Sequence, residues 1–374
     1  MLEPDRWIEN GTIEITGTYI TRVGKAKRCT AYVDHGSGVI LPALVNAHTH
    51  VGLSGLDRLA NSGLEFTSWV KELIRIRNDV SPVEMNSAAD AAAVSIRESG
   101  TGFVAEVGAP EPGMSSLENA GLDGIIFVEV LGNCFDLPPL PPDSGNTTFS
   151  FAGHALHTTG PATLRALKGA AVSRNRVFSV HLAESDAETE FLRNCTGPWA
   201  DLLDSRGIDY REWNLIGESP VKRAERLGLL GPGTLAVHAL DVNRQEREIL
   251  ARSRTSVCFC PRSNAILHGK LPDIPAFLKA GIAPALGTDS LASNASLSLF
   301  DEMAFVAVNF PGIRPEIILS MASCFGADVL GRNDVGRVQT GKRARLIYVN
   351  TDADSAQQAA RQLVADKPEA VEWL

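Results

Sequence analysis

From Gly38 onward the chain alternates short apolar runs with segments of helical spacing, and no other feature constrains its fold as strongly. The runs cover residues 39–46, 102–107, 124–131, 148–152, 177–181, 234–238, 255–260 and 282–287. Runs this short and continuously apolar read as strands buried on both faces. Between them, 83–99, 161–173, 187–195, 243–253 and 272–280 carry helix formers and apolar residues three and four apart. Eight β/α units in about 300 residues predict an α/β protein built on a parallel (β/α)8 barrel. The competing doubly wound sheet needs a Gly-rich phosphate turn that opens a helix after an early strand. The nearest match, Gly231-Pro-Gly-Thr-Leu-Ala236, precedes a strand instead and reads as a turn.

Both ends of the chain are patterned as well. Residues 11–16 and 19–23, and 336–338 and 345–349 at the other end, read as short half-buried strands. Strands this short need partners, so the two ends are expected to join in a small accessory β-sheet. The resulting division is 1–38 for the N-terminal part of that sheet, 39–334 for the barrel, and 335–374 for the C-terminal part and tail. Residues 196–233 are longer than an ordinary connection and contain Trp199, Tyr210 and Trp213. They read either as a lid or as an additional packed helical piece.

Composition excludes several function classes. The 374 residues are 44% apolar and 21% charged, with a net charge of −9 and no block of like charge. That argues for a soluble globular protein without a nucleic-acid-binding surface. The start, Met1-Leu-Glu-Pro-Asp-Arg-Trp7, lacks signal-peptide features, and no apolar run approaches the roughly 18 residues a bilayer requires. Six cysteines without framework spacing, Cys29 among them, fit a reducing cytoplasm. Cys258 and Cys260 share one side of a strand and are expected to be small buried hydrophobes.

The chemistry gathers where apolar runs end. Leu41-Pro-Ala-Leu-Val-Asn-Ala-His48-Thr-His50 ends in two histidines one residue apart, which a strand points the same way. Val177-Phe-Ser-Val-His181-Leu-Ala-Glu184 ends in a histidine followed by an acid. Leu235-Ala-Val-His238 and Ala285-Leu-Gly-Thr-Asp289 complete the set. Barrel enzymes carry their catalytic groups at this end of their strands. Three imidazoles and a carboxylate there make a hydrolytic metal site, with an acid and an imidazole left over for proton transfer.

In that order, together with Cys260-Pro-Arg-Ser-Asn264, Gly287-Thr-Asp-Ser-Leu-Ala-Ser-Asn294 and Gly341-Lys-Arg-Ala-Arg-Leu-Ile347, these segments resemble the amidohydrolase superfamily. The likeness covers nearly the whole chain and is nearest to the mononuclear deaminase branch. It implies one divalent metal, Zn²⁺ or Fe²⁺, on His48, His50, His181 and Asp289. It implies that Glu184 shuttles protons to a heterocycle and that His238 activates or orients water. The fourth-strand segment 147–159 has no lysine to bridge a second metal. His154, in Gly153-His154-Ala-Leu-His157-Thr-Thr-Gly-Pro161, matches a substrate-contacting histidine, and His157 stands where tyrosine is usual. Trp69 matches an aromatic position that lines the pocket in relatives, and also reads as a helix-face core residue. Arg345 replaces an acid of the terminal sheet. His35 and His268 read as surface or loop residues.

The implied activity is a cytoplasmic metal-dependent aminohydrolase acting on an adenine-type nucleoside, with ammonia as product. S-adenosylhomocysteine, methylthioadenosine and aminodeoxyfutalosine are the candidate substrates. A guanidinium after the seventh strand, that of Arg262, is able to hold a carboxylate on the substrate or to pair with a neighbouring loop. The alternatives are a deaminase of guanine or another free base, a triazine-type hydrolase, and a metal-binding barrel without turnover. A homo-oligomer remains compatible; nucleic acid and membrane are not expected as partners.

Overall fold

Eight strands lie side by side in chain order, all parallel: β1 (Leu44–Thr49), β2 (Thr101–Gly108), β3 (Asp123–Val130), β4 (Thr147–Ala155), β5 (Phe178–Leu182), β6 (Thr234–His238), β7 (Ser256–Phe259) and β8 (Ala285–Leu286). The computed structural model describes residues 6–25, 32–134, 136–215, 217–368 and 370–374, so Cys29 lies outside the described residues. The circle closes where the chain leaving β8 meets β1. Thr288 N–H donates to His48 O at 3.0 Å, and Thr49 Oγ1 donates to Asp289 O at 2.8 Å. Gly287 makes this approach possible, because a Cβ there would sit 2.7 Å from His48 O and 2.8 Å from His48 Cβ. The predicted (β/α)8 barrel is the observed fold.

Strand alternation sorts the core into two layers. Val45, Phe103, Ile125, Phe127, Val237 and Cys258 meet in one cluster inside the barrel. Val104, Ile126, Val128, Phe149, Phe151 and Phe178 face the surrounding helices. Cys258 and Cys260 are fully buried free thiols, as small hydrophobes would be. The helices start where the sequence supplies caps. Ser81 with Glu84, and Asn243 with Glu246, form reciprocal capping boxes at Pro82–Glu98 and Arg244–Ser253.

The apolar run 39–46, read as one strand, is divided between two sheets. Gly38–Pro42 pairs antiparallel with Leu346–Asn350, which in turn pairs with Glu372–Trp373. The chain passes into β1 at Ala43, whose N–H donates to Arg345 O. Gly11–Thr16 and Tyr19–Lys25 form their own hairpin, tied to the C-terminal region through Ile20 N–H and Lys342 O at 2.9 Å. Residues 336–338 do not form the expected strand. Gly336 has φ +75°, with Ala327 Cβ and Ser323 O at 2.9 Å from its would-be Cβ, so the chain turns there. Arg345 and Arg343 both pair with buried Asp123 at the start of β3, which joins the accessory sheet to the barrel.

The described part of residues 196–233 contains the expected packed helical pieces. Pro198–Ser205 and Pro220–Arg226 are helices, and Trp199 and Trp213 are buried. Arg223, also buried, pins the segment by donating to Trp213 O at 2.8 Å. Among the described residues no helix is long and apolar enough to cross a membrane.

Candidate metal centre and active site

Ideal strands would not bring all the predicted residues to the barrel mouth; local irregularities do. Val45 and Ala47 take the inner side of β1, so strict alternation would turn His48 outward. The register of β1 against β2 shifts between Asn46 and Thr49, and the extra residue re-aims His48 and His50 inward. In β6, Leu235 and Val237 face inward, and His238 joins them only through a left-handed backbone at φ +72°. Ala183 (φ +54°), Ala239 (+41°) and Asp289 (+58°) are left-handed too, all at strand ends. Such conformations cost on the order of 1–3 kcal/mol each for non-glycine residues, and the packed barrel holds them.

The histidines form one cluster. The His48 ring lies 4.8 Å from His50 and 5.0 Å from His181, and His181 lies 5.0 Å from His238. The ligand-capable atoms of His48, His50 and His181 all fall within 4.8 Å of one another. His50 Nδ1 meets the Val107 carbonyl at 2.8 Å. A carbonyl only accepts, so the proton is on Nδ1 and the Nε2 lone pair faces the site. That Nε2 is 3.8 Å from Asp289 Oδ1, while Asp289 Oδ2 accepts from Ser263 Oγ at 2.5 Å.

Burial, then the neighbouring imidazoles of His50 and His238, hold His48 well below the ordinary histidine range. Burial, then His238 and His154, does the same to His181. For His50, burial pulls downward, but the carboxylates of Asp289, Glu129 and Glu106 outweigh it and raise the group. His48 Nδ1 is buried without a hydrogen-bond partner among the described residues. Neutral imidazole nitrogens facing one another, as His48 and His181 Nε2 do at 3.3 Å, with a carboxylate beside them, fit a divalent cation.

Glu184 sits next to this set, buried, in the turn after β5. Its Oε1 is 3.7 Å from His238 Nε2 and 3.3 Å from His268 Nε2. Asn264 Nδ2 donates to His238 Nδ1 at 3.2 Å, which leaves the proton on the Nε2 that faces Glu184. Burial alone would push the Glu184 carboxyl up; His238, then the bond from and charge of His268, then His157, bring it down to about 2.

The remaining predicted residues are distributed around the mouth. His154 ends β4 with its ring 5.0 Å from His181, and its Nδ1 is 2.6 Å from Thr158 Oγ1. Trp69 is buried, stacks on Phe66, and donates from Nε1 to Ala292 O at 3.2 Å, tying its helix Phe66–Asp79 to the loop after β8. Arg262 lies 3.8 Å from Asp301 Oδ2, an acid that also holds Lys367 at 2.8 Å. His35, in contrast, is near the surface beside Glu372.

Reading His268 as a surface or loop residue was wrong. Its side chain is 6% exposed and touches Glu184. The signal was present: on the helix Pro261–His268 it follows Asn264 by four residues and so shares its face. Glu129 was also missed, although Ile125, Phe127 and Glu129 alternate inward along β3. It forms a cluster with His154 and His181. Glu106 accepts from Val51 N–H at 2.7 Å and Gly52 N–H at 3.2 Å, and burial pushes it up to about 7. A surface cavity of about 340 Å³ around Leu140, Asp143 and Arg176 lies before β4 and β5, at the opposite end of the barrel from this chemistry.

Residues 39–371 match the amidohydrolase family. The chain belongs to the amidohydrolase family. Among its relatives is the aminodeoxyfutalosine deaminase of Deinococcus radiodurans, 28% identical over 353 residues, covering 86% of this chain and 81% of the relative. The 5-methylthioadenosine/S-adenosylhomocysteine deaminase of Syntrophobacter fumaroxidans is 28% identical over 396 residues, covering 93% and 82%. Helicobacter pylori aminofutalosine deaminase, solved with methylthio-coformycin, superposes with a TM-score of 0.81 at 22% identity, over 98% of this chain and 93% of that one. Atrazine chlorohydrolase of Arthrobacter aurescens, solved with zinc, gives 0.77 at 19% identity, over 96% and 87%. At these identities the solved structures establish the shared amidohydrolase fold.

Proposed function

We propose that this amidohydrolase is a metal-dependent deaminase of an adenine-type nucleoside, releasing ammonia from the purine ring. The observation that carries the reading is Glu184, a buried ionised carboxylate held between His238 and His268 beside the His48–His50–His181 cluster. The two deaminase relatives act on substrates of this class by name, and their likeness spans most of the chain.

One ion, Zn²⁺ or Fe²⁺, would be held by His48, His50, His181 and Asp289, and when bound it makes water acidic enough to deprotonate near neutral pH. Glu184 would take a proton from the attacking water and deliver it to the ring nitrogen next to the amino-bearing carbon. The same carboxylate then takes the remaining proton of the added oxygen and passes it to the amino group, which leaves as ammonia as the ring C–N bond breaks and the C=O bond forms. His238 presents Nε2–H toward the same space and orients the attacking oxygen. His154 and Trp69 contact the substrate at the rim.

Arg262 holds an acidic substituent on the 5′ side of the sugar. Its Nη1 is buried and has no hydrogen-bond partner among the described residues, so its contact with Asp301 leaves donors unused. Aminodeoxyfutalosine and S-adenosylhomocysteine are therefore favoured over methylthioadenosine, which lacks a carboxylate.

Ammonia release by metal-loaded protein across a panel of adenosine derivatives, adenine, guanine and a chlorinated triazine tests the proposal. Higher kcat/KM for nucleosides with an acidic tail, eroded in Arg262→Ala mainly through KM, supports it. Turnover of guanine or the triazine with none of the nucleosides refutes it.

A further inference from the structure

We propose that His157 and Glu188 are positioning residues, a buried acid–imidazole pair that fixes the backbone of Glu184 and is walled off by Trp199. Glu188 lies in the helix Asp186–Asn194 and is 0% exposed. One carboxylate oxygen, Oε2, accepts the Glu184 N–H at 2.8 Å. The other, Oε1, is buried with no hydrogen-bond partner among the described residues, and His157 Nδ1 is 3.8 Å from it. His157 is 1% exposed, and neither of its ring nitrogens has a hydrogen-bond partner among the described residues.

A buried carboxylate with one bond and a buried imidazole with none are each expensive alone. Facing each other at 3.8 Å, each offers the other the polar neighbour it otherwise lacks. The groups turned toward the pair are few: the Glu184 carboxyl, which His157 helps hold down, the His154 ring 6.4 Å from that of His157, and the Trp199 ring, which covers His157 at 4.2 Å. Trp199 comes from the 196–233 segment, which gives that packed insertion a task at the site: it keeps water from the pair.

The mechanical consequence falls on Glu184. Ala183, immediately before it, is left-handed at φ +54°, and Ser185, immediately after, caps the helix through Glu188 N–H at 3.1 Å. The Glu188 carboxylate therefore clamps a strained turn whose middle residue is the proton carrier. His157 acts on that clamp through Glu188 and not on the substrate. The inference rests on Glu184 as the proton-transfer group of the proposed deaminase.

Three variants test it: Glu188→Ala, Glu188→Gln and the double variant His157→Phe with Glu188→Leu. Glu188→Gln keeps an acceptor for Glu184 N–H, whereas Glu188→Ala removes it. The double variant replaces both polar partners with apolar groups, which buried pairs commonly tolerate, and so remains testable if Glu188→Ala fails to fold. Glu188→Ala and the double variant are expected to lose about 10–100-fold in kcat, the scale of a catalytic group displaced by an ångström, with KM and metal content near wild type. Hydrogen exchange at the Glu184 amide should accelerate in both, and Glu188→Gln should restore kcat and slow exchange. A double variant that folds, turns over and exchanges like wild type overturns the pair's role. A parallel loss of kcat, KM and metal, without rescue by Glu188→Gln, also overturns it, because that is general destabilisation. Wild-type protein inert toward every adenine-type nucleoside refutes the deaminase reading instead, and the exchange data still decide whether Glu188 clamps the turn.

Discussion

Replacing Glu184 with Gln removes the proposed proton carrier while leaving its surroundings nearly unchanged. The amide is the same size, and the backbone bond from Glu184 N–H to Glu188 persists because it does not involve the substituted group. The lost function is proton transfer by a carboxylate positioned 3.7 Å from His238 Nε2 and 3.3 Å from His268 Nε2. A positioned general acid–base group contributes about 10²–10⁴ in rate, or roughly 3–5 kcal/mol of barrier. We expect kcat to fall by that factor, with metal content unchanged by elemental analysis and melting temperature close to wild type. The pH profile adds a second check. Glu184 is held down at about 2, so the ionised form that accepts a proton is present above that and lost only as pH falls toward it. Any acid limb in kcat/KM near neutral pH belongs to another group and should survive in Glu184→Gln. Wild-type turnover in the variant, or an acid limb in the ordinary glutamate range that the substitution abolishes, would refute the reasoning.

Elemental analysis should find about one divalent ion per chain, lost in His48→Ala or Asp289→Ala, and a stable content of two would contradict a single site. Glu302 is fully buried, and burial pushes it up to about 8 against the opposing pull of Arg262 and Asn294. Its folded value lies above the unfolded one, so its stabilising contribution is complete below the ordinary glutamate range and is lost as pH rises through about 8. Glu302→Gln, neutral throughout, should therefore show a flatter melting temperature between about pH 5 and 8 than wild type, as read by calorimetry. Trp199→Ala empties a buried site against Phe66 and His157 and should cost about 3–5 kcal/mol in denaturant unfolding.

The barrel was legible because its strands are apolar, short and regularly spaced, and the cluster of candidate metal ligands was legible because each of its residues ends such a run. The means by which those side chains reach the mouth were not. The register shift in β1 depends on pairing with β2, and the left-handed backbone at His238 and Asp289 depends on packing from other strands. Neither leaves a local trace. The run 39–46 hid a change of sheet at Ala43 for a related reason: strands in both sheets are buried there, so the apolar pattern continues across the break. The strand expected at 336–338 fails at Gly336, whose close contacts come from the helix Cys324–Val329 and the residue before it. His268 and Glu129 were readable by periodicity and were overlooked because no metal-ligand spacing marked them.

The central claim is that water, activated at this site, displaces the amino group of an adenine-type nucleoside. Incubating metal-loaded protein with aminodeoxyfutalosine or S-adenosylhomocysteine in heavy-oxygen water, and weighing the purine product, tests it directly. The account predicts one solvent oxygen in each hypoxanthine-type product, matched by one ammonia released, and neither product from the apoprotein. A purine ring that keeps its amino group in the presence of metal, across both substrates, would contradict it.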